Sequence, residues 1–340
     1  MQHPTYLLPI RRAAFNRAEA EALRSYLSSI VPAVSEILVV DGSPDDVFAM
    51  HDELWAGVCR HERVNREFGF LNDKVNGIQT GVRLAHSEKI ILADDDIRYR
   101  PSEIDEIDKL LDQFEAVRPQ NHFAFVMPVG LWAKTEAARM LINRAILRAA
   151  DYPGTCAFKR DTMLEAGGYD GDVLFDNEEL VRHLALSGAN IAYGNDLFVE
   201  KRPPTFRKWL EQRPRQAYED FGLRTKTILF AALPPLLIAT GVLFGSRSMI
   251  GAMVTLALTS VLIAWLGRRR GQARIFFPLH ICLFAPLWIL ERSLSTYWAF
   301  YWFFRKGGYP FGEQLLKKGI GRDWIEGGRI GRLAALRSQK

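Results

Sequence analysis

Residues 89–96 read Lys89-Ile90-Ile91-Leu92-Ala93-Asp94-Asp95-Asp96, a short apolar run that passes directly into three adjacent carboxylates. An unbroken apolar stretch of this length, closed by turn residues, predicts a strand buried on both faces. Neighbouring carboxylates repel one another unless a cation neutralises them. Side chains at i and i+2 of an extended segment share a face. Asp94 and Asp96 are therefore placed to share one hard divalent ion, and Asp95 points elsewhere. Mg2+ and Mn2+ prefer such oxygen ligands and keep positions open for phosphate oxygens.

Working outward, Tyr6–Ile10 (YLLPI) reads as a short strand. Glu36–Val40 (EILVV) reads as a buried strand that ends at Asp41-Gly42-Ser43-Pro44-Asp45. Helical spacing covers Ala13–Ile30, Asp46–Gly57 and Gly77–His86. Strands alternating with helices predict an α/β fold with a mostly parallel sheet and helices on both faces. Ligands of such sheets bind beyond the carboxyl ends of the strands, where both acidic turns lie.

Composition bounds the rest. The chain has 340 residues, 24% charged and 48% hydrophobic, which excludes a disordered or collagen-like protein. Three cysteines, Cys59, Cys156 and Cys282, are an odd count without a CxxC, which excludes a disulfide framework and a thiolate zinc site. The seven histidines are scattered without ligand spacing and read as structural or solvent-facing. No HExxH, GxSxG, P-loop or GxGxxG pattern occurs. The net charge of +5 does not point to nucleic acid, because much of the excess flanks apolar stretches.

Those stretches are two runs of 20 uncharged residues, 227–246 and 248–267, each long enough to span a bilayer. Pro234-Pro235 is expected to kink the first. Arg213, Arg215, Arg224 and Lys226 precede the pair and Arg268, Arg269, Arg270 and Arg274 follow it, whereas the loop between carries only Arg247. The positive-inside rule then puts both basic flanks in the cytoplasm. The apolar run near the N-terminus is too short for a signal peptide. The expected organisation is a cytoplasmic domain over 1–225, membrane or interfacial helices over 226–304, and a basic cytoplasmic tail over 305–340. Within the middle part, 275–304 forms either a short hairpin or an interfacial segment. The predicted location is the inner membrane, multi-pass.

At this point the sequence resembles family 2 glycosyltransferases of the GT-A fold, across roughly residues 5–220. Their proline-containing first strand is matched by YLLPI, and their VVDDGS-like strand end by Val39-Val40-Asp41-Gly42-Ser43. The G-K-x-x-A-L-N-x-G helix start is matched by Lys74-Val75-Asn76-Gly77-Ile78-Gln79-Thr80-Gly81, and the DxD motif by Asp94-Asp95-Asp96. Gly154-Thr155-Cys156-Ala157-Phe158-Lys159-Arg160 and Gly167-Gly168-Tyr169 match two later turns. The resemblance implies that Asp41 contacts the nucleotide base or ribose and that Asp94 and Asp96 bind the metal. Asp94 and Asp96 would also meet the diphosphate through that metal, Lys74 would face the nucleotide, and Asp95 would belong to the donor-binding set.

Two motifs depart from the family pattern. Family members often carry Glu-Asp-x-Asp/Glu-Leu, whose second acid is the catalytic base. Here the run is Asp176-Asn177-Glu178-Glu179-Leu180, and the usual base falls on Asn177, an amide that cannot accept a proton at neutral pH. Asp176 is the first substitute and Glu179 the second. The same Asp-x-x-Glu spacing is also a capping box. The Q-x-x-R-W motif becomes Gln212-Arg213-Pro214-Arg215-Gln216, keeping an arginine for the diphosphate at Arg215 and losing the tryptophan. That loss argues against a processive polymer synthase.

The expected activity is inverting, non-processive and metal-dependent (Mn2+ or Mg2+) transfer from a nucleotide-diphosphate sugar, with a UDP-sugar as the expected donor. The acceptor is a lipid-linked or membrane-proximal hydroxyl. Two alternatives stay open: a metal-dependent nucleotidyltransferase, and a catalytically degenerate nucleotide-sugar-binding membrane protein. The sequence is silent on oligomeric state.

Overall fold

The computed structural model describes residues 3–125, 129–147, 149–151, 154–312 and 314–319. Most of the basic tail expected over 305–340 lies outside the described residues. The chain divides into two units, Met1–Asn121 with Pro153–Lys201, and His122–Tyr152 with Arg202–Ile320.

The first unit opens with β1 (Thr5–Ile10), buried along its whole length. Helix α1 (Arg17–Ile30) starts four residues later than its apolar spacing predicts, because Asn16 caps it by accepting the Glu19 amide. Strand β2 (Glu36–Asp41) leads to α2 (Asp45–Trp55), whose first turn carries Asp45 and Asp46 against the positive end of the helix dipole. There follow β3 (Arg60–Arg63), α3 (Asp73–Leu84), β4 (Lys89–Leu92), β5 (Ile97–Arg98), α4 (Pro101–Gln113) and β6 (Ala116–Phe123). The chain then enters the second unit for α5 (Leu131–Ile146) and returns for β7 (Cys156–Lys159), α6 (Arg160–Ala166), α7 (Asp176–Leu186) and β8 (Ile191–Lys201).

One eight-stranded sheet takes the order β3-β2-β1-β4-β7-β6-β8-β5. The apolar strands read from the sequence, β1, β2 and β4, form its parallel part together with the polar strand β3, which no apolar pattern announces. Strand β7 then pairs antiparallel with β4, β6 with β7, and β5 with β8, so the sheet is mixed. Successive residues of β1 and β2 serve opposite faces. Tyr6, Leu8, Val39 and Ile91 pack with Leu27 and Ile107 on one side. Leu7, Leu38, Val40 and Ile90 pack with Ile78, Val82 and Leu180 on the other. Each fully buried Leu or Ile contributes about 1.5–3 kcal/mol relative to exposure. Helix α3 rides close on β1 because its contact positions are glycines. A Cβ on Gly77 would stand 2.8 Å from Pro9 Cβ, and one on Gly81 would overlap the Leu7 side chain.

The second unit holds α5, α8 (Phe206–Glu219), α9 (Arg224–Phe244), α10 (Ser246–Arg269), α11 (Ala273–Phe276), α12 (Ala285–Phe300) and the hairpin β9 (Tyr309–Phe311) and β10 (Gln314–Leu316). Helices α9 and α10 are long and apolar enough to cross a membrane. α9 runs as one helix through Pro234 and Pro235, and Gly245, at φ 86°, separates the two spans. Residues 275–304 fold as the end of α11, a 3-10 run Leu279–Phe284, all of α12 and the start of a π-turn. α10 touches the α5 backbone, since a Cβ on Gly267 would overlap the Leu141 carbonyl.

Buried ion pairs join α5, α8 and α12. Glu136 accepts from Arg139 Nε at 2.7 Å and lies 3.1 Å from Arg213 Nη1. Arg139 also reaches Asp151 at 2.8 Å, and Arg292 reaches Asp220 at 3.2 Å. Burial raises the Glu136 pKa, but Arg139 and Arg213 outweigh it and hold the carboxyl well below its usual range. Arg213 is 2% exposed and faces Glu136 and Glu291, so it belongs to this interior network and not to a basic surface.

Candidate active site

Asp94 follows β4, and its Oδ1 lies 2.6 Å from Lys74 Nζ. Lys74 is the second residue of α3, and its amide donates to the Asn72 side chain at 3.1 Å. The same ammonium reaches Asp176 Oδ2 at 2.7 Å and Asn177 Oδ1 at 3.1 Å, both at the start of α7. One ammonium thus faces three oxygens from two elements. Burial lowers the Lys74 pKa, but Asp176 and Asp94 outweigh it and raise it above the ordinary lysine range.

The start of α3 is tied to the start of α7 by a backbone strap. Asn72 Nδ2 donates to the Val173 carbonyl at 2.9 Å, and the Asn72 amide donates to the Gly171 carbonyl at 3.2 Å. The Leu71 amide donates to Asp172 Oδ1 at 2.9 Å. Asn72 is fully buried, and the motif reading passed over it.

The capping box expected at Asp176 and Glu179 does not form. Phe175 takes the N-cap position without a side-chain bond, and Asp176 is the first helical residue. Its carboxylate is held by Lys74 instead of closing on its own backbone. Glu179 accepts from Arg182 Nε at 2.9 Å, one turn further on, and its side chain is 1% exposed.

Residues 94–97 form a turn closed by the Ile97 amide on the Asp94 carbonyl at 3.1 Å, not the extended segment that the spacing presumes, and Asp95 and Asp96 take different partners. Asp95 pairs with the Arg12 guanidinium, and the Arg12 amide donates to Ser43 Oγ at 2.8 Å, which links the two acidic turns. Asp96 Oδ1 lies 3.7 Å from Lys201 Nζ, a residue that the β5–β8 register sets opposite Ile97. A Cβ on Gly154 would stand 2.8 Å from Asp94 Oδ2 and 3.4 Å from that same Lys201 ammonium. The bare glycine thus leaves a small hollow beside Asp94 Oδ2 and the ammonium that serves Asp96. The Gly154 amide donates to Asn121 Oδ1 at 3.1 Å, which fixes the loop there. Arg12 and Lys201 come from distant parts of the chain and escape any local motif, whereas Gly154 opens the stretch 154–160 matched above. Arg98 and Arg100 turn to local partners, the Asp95 carbonyl and Glu103.

Asp41 ends β2, and its side chain has no exposed surface. Its Oδ1 accepts the Ser43 amide at 2.7 Å, and its Oδ2 faces His51 Nδ1 at 2.8 Å and His61 Nε2 at 3.3 Å. Burial raises the Asp41 pKa, but the bonds from His51, His61 and Ser43 outweigh it and hold the carboxyl well below its usual range. These two histidines are not the isolated residues that the sequence reading makes them. They lie on α2 and β3, so no sequence spacing announces their meeting. Arg215 belongs to the second unit, where it bonds Glu219 at 3.0 Å and stacks over Phe311 at 4.9 Å.

The mixed α/β sheet, with its acidic strand ends and two following apolar helices, is an architecture of the GT-A type. No protein-family model and no curated protein matches the chain by sequence. Solved structures do match in fold. A mannosyltransferase from Pyrobaculum calidifontis, in complex with GDP-Man and Mn2+, superposes with a TM-score of 0.50 at 16% identity, covering 87% of each chain. Glucosyl-3-phosphoglycerate synthase from Mycobacterium tuberculosis, in complex with Mn2+, UDP and glucosyl-3-phosphoglycerate, gives 0.38 at 15% identity, over 59% of this chain and 70% of that one. A complex of the same synthase with Mg2+ and UDP gives 0.36 at 15% identity, over 59% and 69%.

Proposed function

We propose that this chain is a membrane-anchored, metal-dependent glycosyltransferase of family 2, which moves a sugar with inversion from a nucleotide-diphosphate sugar to a lipid-linked or membrane-proximal hydroxyl. The observation that carries the reading is the Lys74 ammonium, which joins Asp94 at a strand end to Asp176 at a helix start on a GT-A-type sheet. The P. calidifontis mannosyltransferase of like fold was solved with a nucleotide sugar and Mn2+, which supports the donor class and the ion.

Asp94 and Asp96 would hold Mn2+ or Mg2+. The fit rests on the all-oxygen donor set, on the cations already drawn to both carboxylates, and on the hollow left by Gly154. Such an ion, when bound, withdraws charge from the departing diphosphate as a Lewis acid. Lys74 and Lys201 add positive charge on the same side of the sheet. Asp176 takes the proton from the acceptor hydroxyl. Its Oδ2 lies 2.7 Å from Lys74 Nζ in the first turn of α7, which holds the base beside Asp94 at the strand end. Glu179 is the weaker candidate because its side chain is 1% exposed against 8% for Asp176, and it pairs with Arg182 one turn into the helix, not with the lysine that holds Asp94. Asn177 steadies Lys74. Asp41 acts on the nucleotide indirectly, by holding the Asp-Gly-Ser turn, because its carboxylate has no exposed surface. Helices α9 and α10 anchor the chain as membrane spans with the catalytic residues on the cytoplasmic side.

Purified full-length protein in detergent should release UDP or GDP from a panel of nucleotide sugars only with Mn2+ or Mg2+. Asp96→Ala should abolish that release, and Asp176→Asn should lower it on the order of 10²-fold or more. Release of pyrophosphate instead would identify a nucleotidyltransferase. Tight donor binding without turnover would identify a degenerate binding protein, the outcome that Asn177 makes worth testing.

A further inference from the structure

Three potential ligands converge behind the Asp-Gly-Ser turn, away from the aspartate triplet. Asp41 comes from β2, His51 from α2 and His61 from β3. Their ligand atoms all lie within 4.8 Å of one another. The three side chains are at most 4% exposed. Aromatic rings wall them in: His51 stacks on Trp55 with centroids 4.3 Å apart, and His61 on Phe48 at 4.1 Å.

His61 Nε2 faces Asp41 Oδ2, while its Nδ1 faces Asp52 Oδ1 at 3.0 Å. With an ion among the three ligands, the Nε2 lone pair would sit on the ion and the Nδ1–H would donate to Asp52. Donation of the second ring N–H to a carboxylate is the usual support of a metal-bound histidine.

The spacing agrees. A tetrahedral ion with bonds of about 2.0 Å holds its ligands about 3.3 Å apart. The two nitrogens stand 2.8 and 3.3 Å from Asp41 Oδ2. Two imidazoles and one carboxylate are a donor set for zinc-class ions, whereas Mg2+ and Mn2+ favour all-oxygen sites.

We propose that Asp41, His51 and His61 bind a divalent transition ion of the zinc class, at a site separate from Asp94 and Asp96. The ion would pin β2, α2 and β3 together beneath Ser43, and through Ser43 and Arg12 it would brace the turn that carries Asp95.

The test uses full-length protein in detergent, stripped with a chelator and titrated with Zn2+ against a chromophoric competitor. One equivalent of zinc per chain is expected. The double variant Asp94→Asn/Asp96→Asn should keep it, whereas His51→Gln and His61→Gln should each weaken it on the order of 10²-fold or more. No stoichiometric zinc in the wild type, or loss of zinc in the aspartate double variant, overturns the proposal. If the histidine variants do not fold, X-ray absorption of the zinc-loaded wild type decides. Two imidazole scatterers support the site, and an all-oxygen shell refutes it. None of these readouts depends on sugar transfer, so this proposal and the proposed activity fail independently.

Discussion

The Lys74 ammonium lies 2.6 Å from Asp94 Oδ1, so the start of the third helix neutralises the first aspartate beyond the fourth strand. The same group holds Asp176 at 2.7 Å. Lys74→Met keeps the stem and removes the charge, leaving two carboxylates and the Asn177 oxygen without their common partner. The pairs are about a fifth to a quarter exposed at Lys74 and Asp94, which tempers the loss. A fall in stability of about 1–3 kcal/mol is expected, with turnover down on the order of 10²-fold. Lys74→Arg should not restore it, because a planar fork does not replace a compact ammonium that faces three oxygens. Melting curves and donor turnover check both statements.

Gly154 sits where a side chain would press on Asp94. The Cβ introduced by Gly154→Ala would stand 2.8 Å from Asp94 Oδ2, and one or both must move. The Mn2+ activation midpoint should rise about tenfold, and turnover should fall by up to about 10²-fold. The melting temperature should stay close to wild type, since no strained backbone is involved at this position. Unchanged Mn2+ activation would remove Gly154 and its hollow from the metal site.

Much of the first unit was legible because buried parallel strands are nearly continuous apolar runs: YLLPI, EILVV and KIILA all became strands of the sheet. The antiparallel part was not. Strand β6 buries Arg118, Gln120 and Asn121, whose polarity masks a strand, and their partners Glu178 and Gly154 lie far along the chain. Helix α3 began earlier than its apolar spacing because Asn72 caps it, and a cap one residue outside a helix leaves no periodic trace. The strand-end carboxylates stood out by their spacing. Their counter-ions Lys201 and Arg12, and the imidazoles facing Asp41, are set by sheet order and register, which local sequence does not encode.

Glu136 gives a pH prediction. Its carboxyl is held below its usual range by Arg139 and Arg213 against the opposing effect of burial. A group depressed on folding stabilises the protein above its unfolded pKa of about 4.3, and that contribution is lost as pH falls from there toward the folded value. The melting temperature of the detergent-solubilised protein should therefore drop below about pH 4.3. Glu136→Gln should be less stable at pH 7 by about 3–5 kcal/mol, because it leaves Arg139 and Arg213 buried with less opposite charge. It should also show a shallower acid limb. Parallel acid limbs in the two proteins would mean that other carboxylates set the profile.

Asn72 offers a way to separate helix capping from alignment of the site. Its oxygen accepts the Lys74 amide at 3.1 Å, and its Nδ2 donates to the Val173 carbonyl at 2.9 Å. Asn72→Ala loses both, a cap of about 1 kcal/mol and a buried bond whose loss strands a carbonyl at about 1–3 kcal/mol. Asn72→Asp keeps the capping oxygen but sets a carboxylate against that carbonyl. If the strap to residues 171–173 aligns Lys74 with Asp176, the aspartate variant should keep its capped helix yet lose turnover as the alanine variant does. If Asn72 serves only the helix, the aspartate variant should instead be as active as wild type. Amide exchange at Lys74 and Val75 reports the cap, donor turnover reports the alignment, and comparing the two readouts assigns the role.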